Sequence, residues 1–322
     1  MALISGLERR LVWLHRTSAE CALVGGKGAS LSRLAELGAP VPPAFALTTC
    51  VYDEFAAAVS LPTRASDVVD ADLRHVRAAI EEAPLPPSIA ELLRTGLDDF
   101  ARGADTPPAL AVRSSATAED SAEFSFAGLH DTVLDVRDYD GLERAVKLCW
   151  ASLWSERAVA YRRAGGLAAD EAAIAVVVQE LVASDVSFVV FTADPVSGHD
   201  DHLIIAASWG LGEAVVSGLV VPDHIVVGPD GAVLAYEVGD KQLMVIPGGD
   251  SGQGTREVPV PRALRTVPVL TEQQATAIGV IARDLSHRLG FKADIEGGIK
   301  DGRVYLFQAR PITTLSPSSG RS

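Results

Sequence analysis

Three polar side chains stand out in a mostly apolar run near the end of this 322-residue chain: Glu296, Gln308 and Arg310. They belong to Asp294-Ile-Glu-Gly-Gly-Ile-Lys-Asp-Gly-Arg-Val-Tyr-Leu-Phe-Gln-Ala-Arg-Pro311. Asp-Gly between alternating apolar runs predicts a hairpin turning at Lys300-Asp301-Gly302. Pairing across that turn brings Glu296 near Gln308, and the two-residue strand repeat puts Gln308 and Arg310 on one face. A carboxylate and an amide oxygen beside a guanidinium suit a magnesium-phosphate group, with hard oxygen donors for the metal and a fixed cation for the phosphate. An edge hairpin with a solvated polar face accounts for the same residues, and the stretch alone leaves both readings open. Two more cations lie upstream. Lys27 stands in Val24-Gly-Gly-Lys-Gly, whose glycines free the backbone to approach a ligand at a helix start. The spacing and the Lys-Ser/Thr pair of a Walker A loop are missing, and a plain N-terminal turn is the alternative. Arg113 ends the short apolar strand Ala109-Leu-Ala-Val-Arg-Ser-Ser. The hydroxyl-rich stretch from Ser114 to Gly128 that follows suits a cover over a polyphosphate, or a surface loop.

The elements that must position these residues are legible as patterns. Leu31, Leu34, Ala35 and Leu37 have helical spacing with Gly38 as the stop, and Pro40-Val-Pro-Pro43 favours extended chain afterwards. Thr49 to about Arg102 reads as helical scaffold, broken near Leu61-Pro62 and by Pro84, Pro86 and Pro87. His130 to Val136 reads as a strand, and Tyr139 through Arg163 as one helical run with Trp150, Leu153 and Trp154 in the core. Ala173 to Gln179, Asp185 to Thr192 and Leu203 to Ala207 read as strands, with Glu180-Leu-Val-Ala as a connector. Trp209 to Gly218 reads as a turn into a short helix, and Pro229-Asp-Gly231 as the centre of a hairpin. Gly248 to Gly254 is a flexible crossing loop. Thr271-Glu-Gln-Gln opens a helix with a capping box; Ile278, Ile281, Ala282, Leu285 and Leu289 line one face and Gly290 closes it. Early helices and later mixed strands give an α+β or mixed α/β class.

Composition excludes several functions. Hydrophobic residues make up 48% and charged ones 22%, an ordinary globular balance. A formal net charge of −14 argues against a nucleic-acid groove or an anionic membrane as partner. It does not exclude ATP, because a phosphate site is built from local cations, metal and backbone amides. Cys21, Cys50 and Cys149 are isolated and odd in number, which fits a reduced compartment and offers neither a disulfide framework nor a zinc site. Without a signal-peptide pattern or a long apolar run, the expected location is cytoplasmic.

Taken together, the motifs are more specific than any one alone. Gly25-Gly-Lys-Gly-Ala-Ser-Leu, Val112-Arg-Ser-Ser-Ala-Thr-Ala-Glu-Asp, Ser125-Phe-Ala-Gly, Asp194-Pro, Gly210-Leu-Gly-Glu-Ala-Val-Val-Ser-Gly, Pro222-Asp and Gln308-Ala-Arg-Pro follow one another in this order. From about residue 20 to 314 the chain resembles the ATP-binding domain of phosphoenolpyruvate synthase, pyruvate phosphate dikinase and rifampin phosphotransferase. The resemblance implies an α+β, ATP-grasp-type fold of two lobes, 1–179 and 180–315, with ATP bound between them and a disordered tail at 316–322. It implies ATP and Mg2+ as cofactors. Lys27 and Arg113 would hold the phosphates and Arg310 the transferred phosphate, these three being the catalytic residues. Ser114, Ser115, Thr117 and Gly128 would belong to the phosphate cover. Gln179, Glu180, Leu181 and Val182 would line the adenine edge, the last three through backbone groups. Glu213, Lys241 and Gln308 would complete the nucleotide contacts, and Glu296 with Gln308 would position the metal.

Three departures from the family pattern bear on that site. Asp294-Ile-Glu-Gly-Gly298 replaces the usual Asp-Ile-Glu-Trp-Ala, Leu129-His130 replaces a pair of glutamines, and Phe188 stands where glycine is usual. Full-length relatives also carry a swivelling domain with a Thr-x-x-His motif that accepts phosphate, and none of the seven histidines here sits in such a motif. His199-Asp-Asp-His202 has metal-like composition but reads as a solvated turn. The expectation is an ATP-binding subunit of a split dikinase-type system, resembling phenylphosphate and 4-methylphenyl phosphate synthases. A histidine-bearing phosphocarrier subunit would be its partner and a phenol-like alcohol the small-molecule acceptor. A self-sufficient ATP-grasp kinase or ligase, and a nucleotide-sensing module without turnover, are the alternatives.

Overall fold

The computed structural model describes residues 9–16, 18–61, 72–102, 106–117, 132–164, 173–194, 201–248 and 254–312. The chain forms two α+β units. The first takes in Met1–Glu36, Pro43–Leu181 and Gly249–Gly254, and the second Leu37–Pro42, Val182–Gly248 and Thr255–Ser322.

The first unit is built on a five-stranded antiparallel sheet. Its strands are β1 (Leu11–Trp13), β2 (Ala44–Leu47), β3 (Leu110–Ala116), β4 (Thr132–Val136) and β5 (Ile174–Glu180), in the order β1-β2-β5-β3-β4. Alternation decides what each face carries. Phe45, Leu47, Leu110, Val112, Ile174, Val176 and Val178 join one core with residues of α2 (Thr49–Ala58), α3 (Leu73–Glu82), α4 (Pro87–Ala101) and α5 (Tyr139–Ser152). The intervening residues, Ala44, Ala46, Arg113, Ser115, Val177 and Gln179, therefore face the other way, toward α1 (Cys21–Glu36). The prolines act as expected: α4 begins with Pro87 in its first turn, where a missing N–H costs nothing.

The helical run expected from Tyr139 through Arg163 is two helices, α5 and α6 (Glu156–Ala164). Between them Leu153, Trp154 and Ser155 each donate a backbone N–H three residues back, and the Ser155 hydroxyl accepts from Ala158 N to start the new helix. The break turns Trp154 inward, where its Nε1 donates to the Tyr52 hydroxyl at 2.8 Å. Strands β1 and β2 were not expected. At three and four residues they are too short to show a period, and β2 is apolar throughout.

The second unit carries a six-stranded antiparallel sheet in the order β13-β12-β6-β7-β8-β9. The strands are β6 (Val186–Phe191), β7 (Leu203–Trp209), β8 (Asp223–Val227), β9 (Val233–Glu237), β12 (Ala293–Lys300) and β13 (Arg303–Pro311). The short helix α7 (Glu213–Val216) follows β7, and β10 (Leu243–Pro247) pairs with β11 (Thr255–Pro259) as a separate ribbon around the expected crossing loop. Helix α8 (Glu272–Leu289) starts on the full capping box of Thr271 and Gln274 and stops at Gly290, φ 82°. Its Ile278, Ile281 and Ala282 pack with Phe188, Val190, Ile295, Val304 and Leu306, which fixes the buried face of the sheet. Among the described residues no helix is long and apolar enough to cross a membrane.

Candidate functional site

In the first unit the glycine turn and the strand bearing Arg113 are joined by one hydroxyl. Helix α1 is broken at Gly25, whose φ of 70° is in the left-handed region, so the regular helix starts just before Lys27. A Cβ at Gly25 would overlap the carbonyl and hydroxyl of Ser115, so only glycine fits there. The Ser115 hydroxyl donates to Val24 O at 2.7 Å and accepts from Gly28 N at 3.1 Å. Arg113, two residues earlier in β3, shares that sheet face and is half-buried. Ser114 is buried, and Thr117 donates to Ala173 O at 3.3 Å through its hydroxyl.

Gln179 lies on the same face as Arg113 and Ser115, opposite Ala111 in the β3–β5 register. It is 2% exposed, and its side-chain Nε2 has no hydrogen-bond partner. Such a buried donor costs free energy unless something binds it. Next to it, burial alone pushes the Glu180 carboxyl above the usual carboxylate range. Glu180 N donates to Pro43 O and Leu181 N to Ala109 O, so the end of β5 is pinned on both sides. Gly128, with Leu129 and His130, lies outside the described residues, as does His199.

In the second unit the hairpin closes on Asp301 (φ 50°) and Gly302 (φ 74°), a two-residue turn with both residues left-handed. Lys300 Nζ and Asp301 N both donate to the Asp185 carboxylate, at 2.8 and 3.0 Å. Glu296 stands opposite Gln308, and Asp294 opposite Arg310. A register shift after Glu296 leaves Phe307 unmatched, so Gly297 faces Leu306. This bulge decides the chemistry. Counting by twos, Leu306 would share a face with Gln308 and Arg310; the extra residue lets Leu306 pack under α8 while Gln308 and Arg310 stay with Asp294 and Glu296.

Arg310 donates from Nε to Asp294 Oδ2 at 2.9 Å, and its NH2 nitrogen lies 2.9 Å from the same oxygen. Asp294 Oδ1 is buried without a partner. Burial raises the Asp294 carboxyl above its ordinary value; Arg310 opposes the rise and Glu296 adds to it. Among the described residues no group of three or more His, Cys, Asp or Glu could hold a metal alone. Glu296 and Gln308 as adjacent oxygen donors, with the spare Asp294 oxygen on their face, nevertheless fit magnesium, which keeps water and phosphate oxygens as most of its ligands. Asp294 is the site residue that motif reading passed over. Its signal was the two-residue spacing from Glu296.

The remaining expected residues are more dispersed. Val182 O accepts from Ser184 N at 2.8 Å. Glu213 is exposed and accepts from the Thr255 hydroxyl at 2.9 Å. Lys241 is fully buried, its ammonium held by the Asp223 carboxylate and by Gly239 O at 2.9 Å. Asp223 also accepts from Gly239 N, Val269 N and the Tyr236 hydroxyl. The Gly297 and Phe188 departures meet each other: they are cross-strand partners, and a Cβ on Gly297 would run into the Phe188 ring.

Comparison with known proteins matches the sequence of this chain to a family. The family described as "Pyruvate phosphate dikinase, AMP/ATP-binding domain" matches residues 21–322. A probable phosphoenolpyruvate synthase of Methanothermobacter thermautotrophicus is 37% identical over 318 residues, covering 92% of this chain and 45% of that protein. The prodigiosin synthesizing transferase PigC of Serratia marcescens is 39% identical, covering 90% of this chain and 32% of its own length. A rifampicin phosphotransferase of Streptomyces sviceus is 40% identical, with 92% and 35% covered. The chain thus spans less than half the length of these relatives.

Proposed function

The chain belongs to the pyruvate phosphate dikinase AMP/ATP-binding domain family, and from that premise we propose that it is the ATP-cleaving half of a dikinase-type phosphotransferase. One observation carries the reading: Arg310, braced by Asp294, shares a sheet face with the Glu296–Gln308 pair. That is a fixed cation beside paired oxygen donors, the set a transferring phosphoryl group needs. In this reading Lys27 and Arg113 neutralise phosphate charge from the first unit, and Arg310 holds the phosphoryl group in transit. Magnesium, held by Glu296 and Gln308, would spread the charge that develops on the phosphate oxygens. Gln179, with its spare donor, and the pinned backbone of Glu180 to Val182 would read the adenine edge. Lys241 drops out of the set, because its ammonium is already engaged inside the fold.

The β-phosphoryl group would pass to a histidine on a separately folded partner, leaving AMP; the γ-phosphate, taken up by water, would leave as inorganic phosphate. Two features support a histidine elsewhere: none of the seven here has threonine three residues before it, and the relatives carry this region as a minor part of their length. The relatives' names differ in what they act on, so specificity for the final acceptor would lie outside this half; a phenol or p-cresol-like alcohol is our choice. The test mixes the purified chain with ATP, magnesium and a Thr-x-x-His protein encoded beside it. AMP, inorganic phosphate and phosphohistidine on the partner are expected. Phosphorylation of a small molecule by the chain alone, with release of ADP, would sink the proposal.

A further inference from the structure

We infer that Ser115 is a positioning residue that sets Lys27 for phosphate, rather than a nucleotide contact. The inference rests on the phosphate role proposed for Lys27. Ser115 is fully buried, and its hydroxyl is engaged as both donor and acceptor, to Val24 O and from Gly28 N. Those two groups bracket Gly25, Gly26 and Lys27, so one oxygen closes a five-residue loop with Lys27 inside it. The fit is close on the other side too, since Gly25 lies so near the Ser115 carbonyl that no Cβ can intervene.

The hydroxyl does three things at once. It satisfies the Gly28 N–H, one of the donors that the first turn of a helix leaves without an intrahelical partner. It holds Gly25 in its left-handed conformation. It also ties the start of the helix to β3, the strand that bears Arg113. Arg113 and Ser115 are two residues apart on one face, so the strand repeat presents one cation directly and places the other through the hydroxyl. The spacing between Lys27 and Arg113 would then be set by backbone geometry, which is the rigid support that a charge-stabilising site requires.

The experiment compares Ser115→Ala, Lys27→Ala and the double variant for affinity toward ATP and toward adenosine, with thermal melting of each protein. Ser115→Ala removes the one oxygen that serves both Val24 O and Gly28 N, so ATP binding should weaken roughly tenfold or more while adenosine binding holds. In the Lys27→Ala background the same change should have little further effect on ATP, since its route is already cut. Ser115→Cys, which keeps a weak donor and acceptor, should recover part of the affinity. Equal loss for ATP and adenosine, or full loss repeated in the Lys27→Ala background, would overturn the inference. Amide hydrogen exchange at Gly28 reads the latch without nucleotide: protection should fall in Ser115→Ala, and unchanged protection would also overturn it. A wild-type chain that binds no ATP would instead sink the proposed function, leaving the exchange result to decide the latch.

Discussion

Asp294 lies two residues from Glu296, and that spacing alone puts both carboxylates on one face. What sequence could not show was that one of its oxygens would brace Arg310 while the other stayed buried without a partner. Because the folded-state pKa is raised, the contribution of Asp294 to stability is fully present below the ordinary aspartate value of 3.8. It is lost as pH rises through the higher folded value. Melting temperatures of wild type and Asp294→Asn, taken from pH 3 to 7, should therefore shift in favour of the variant as pH rises. A shift the other way would mean that Arg310, not burial, dominates. The second residue-scale prediction concerns Phe188 and Gly297, which as isolated departures looked like damage to the site. As cross-strand partners they fit one another, the Phe188 ring filling the place that a side chain on Gly297 would take. Gly297→Ala should cost about 1–3 kcal/mol by overpacking, and less when Phe188 is already alanine, the share due to the Tyr305 carbonyl 2.7 Å from such a Cβ remaining. Equal costs in both backgrounds, measured by denaturant midpoints, would show that the two sites do not couple.

Among the elements, long periodic helices and the Asp-Gly hairpin were legible because their signals are local. Helix α8, with its capping box and closing glycine, needed nothing beyond its own residues. Strands β1, β2, β10 and β11 were not read, since three to five residues give too little period, and the partners of β1 and β2 are distant in sequence. The bulge at Phe307 was equally invisible, although it places Gln308 and Arg310. It answers to a tertiary demand, the packing of Leu306 under α8. Lys241 is the instructive opposite, a residue chosen by motif whose surroundings are structural. The Asp223 carboxylate gathers it with Tyr236 of β9 and the backbone at Gly239 and Val269. Burial and Asp223 help push the Tyr236 hydroxyl well above its ordinary pKa, so it stays a donor. Removing one partner of a buried ion pair strands the other, so Lys241→Met should cost about 3–5 kcal/mol. If it costs little and ATP binding is lost instead, Lys241 belongs back in the nucleotide site.

For the whole molecule, the cations at stake are few and local while the formal net charge is −14. Charge sum was thus a poor guide to an anionic ligand, and the order of motifs a good one. The path of the chain was the least legible property of all. It passes from one unit to the other after residues 36, 42, 181, 248 and 254, because short segments at 37–42 and 249–254 belong to the unit opposite to their sequence neighbours. The Pro40 carbonyl, for instance, accepts from Leu306 N in the second unit. Five crossings mean that no single breakpoint in the coding sequence separates one unit from the other intact. A break at 181–182 would keep the strands of each sheet together but part each unit from one short segment of its own, 37–42 or 249–254. The two units do recur together, in one continuous match from residue 21 to 322 that is carried as a portion of much longer relatives with differently named activities.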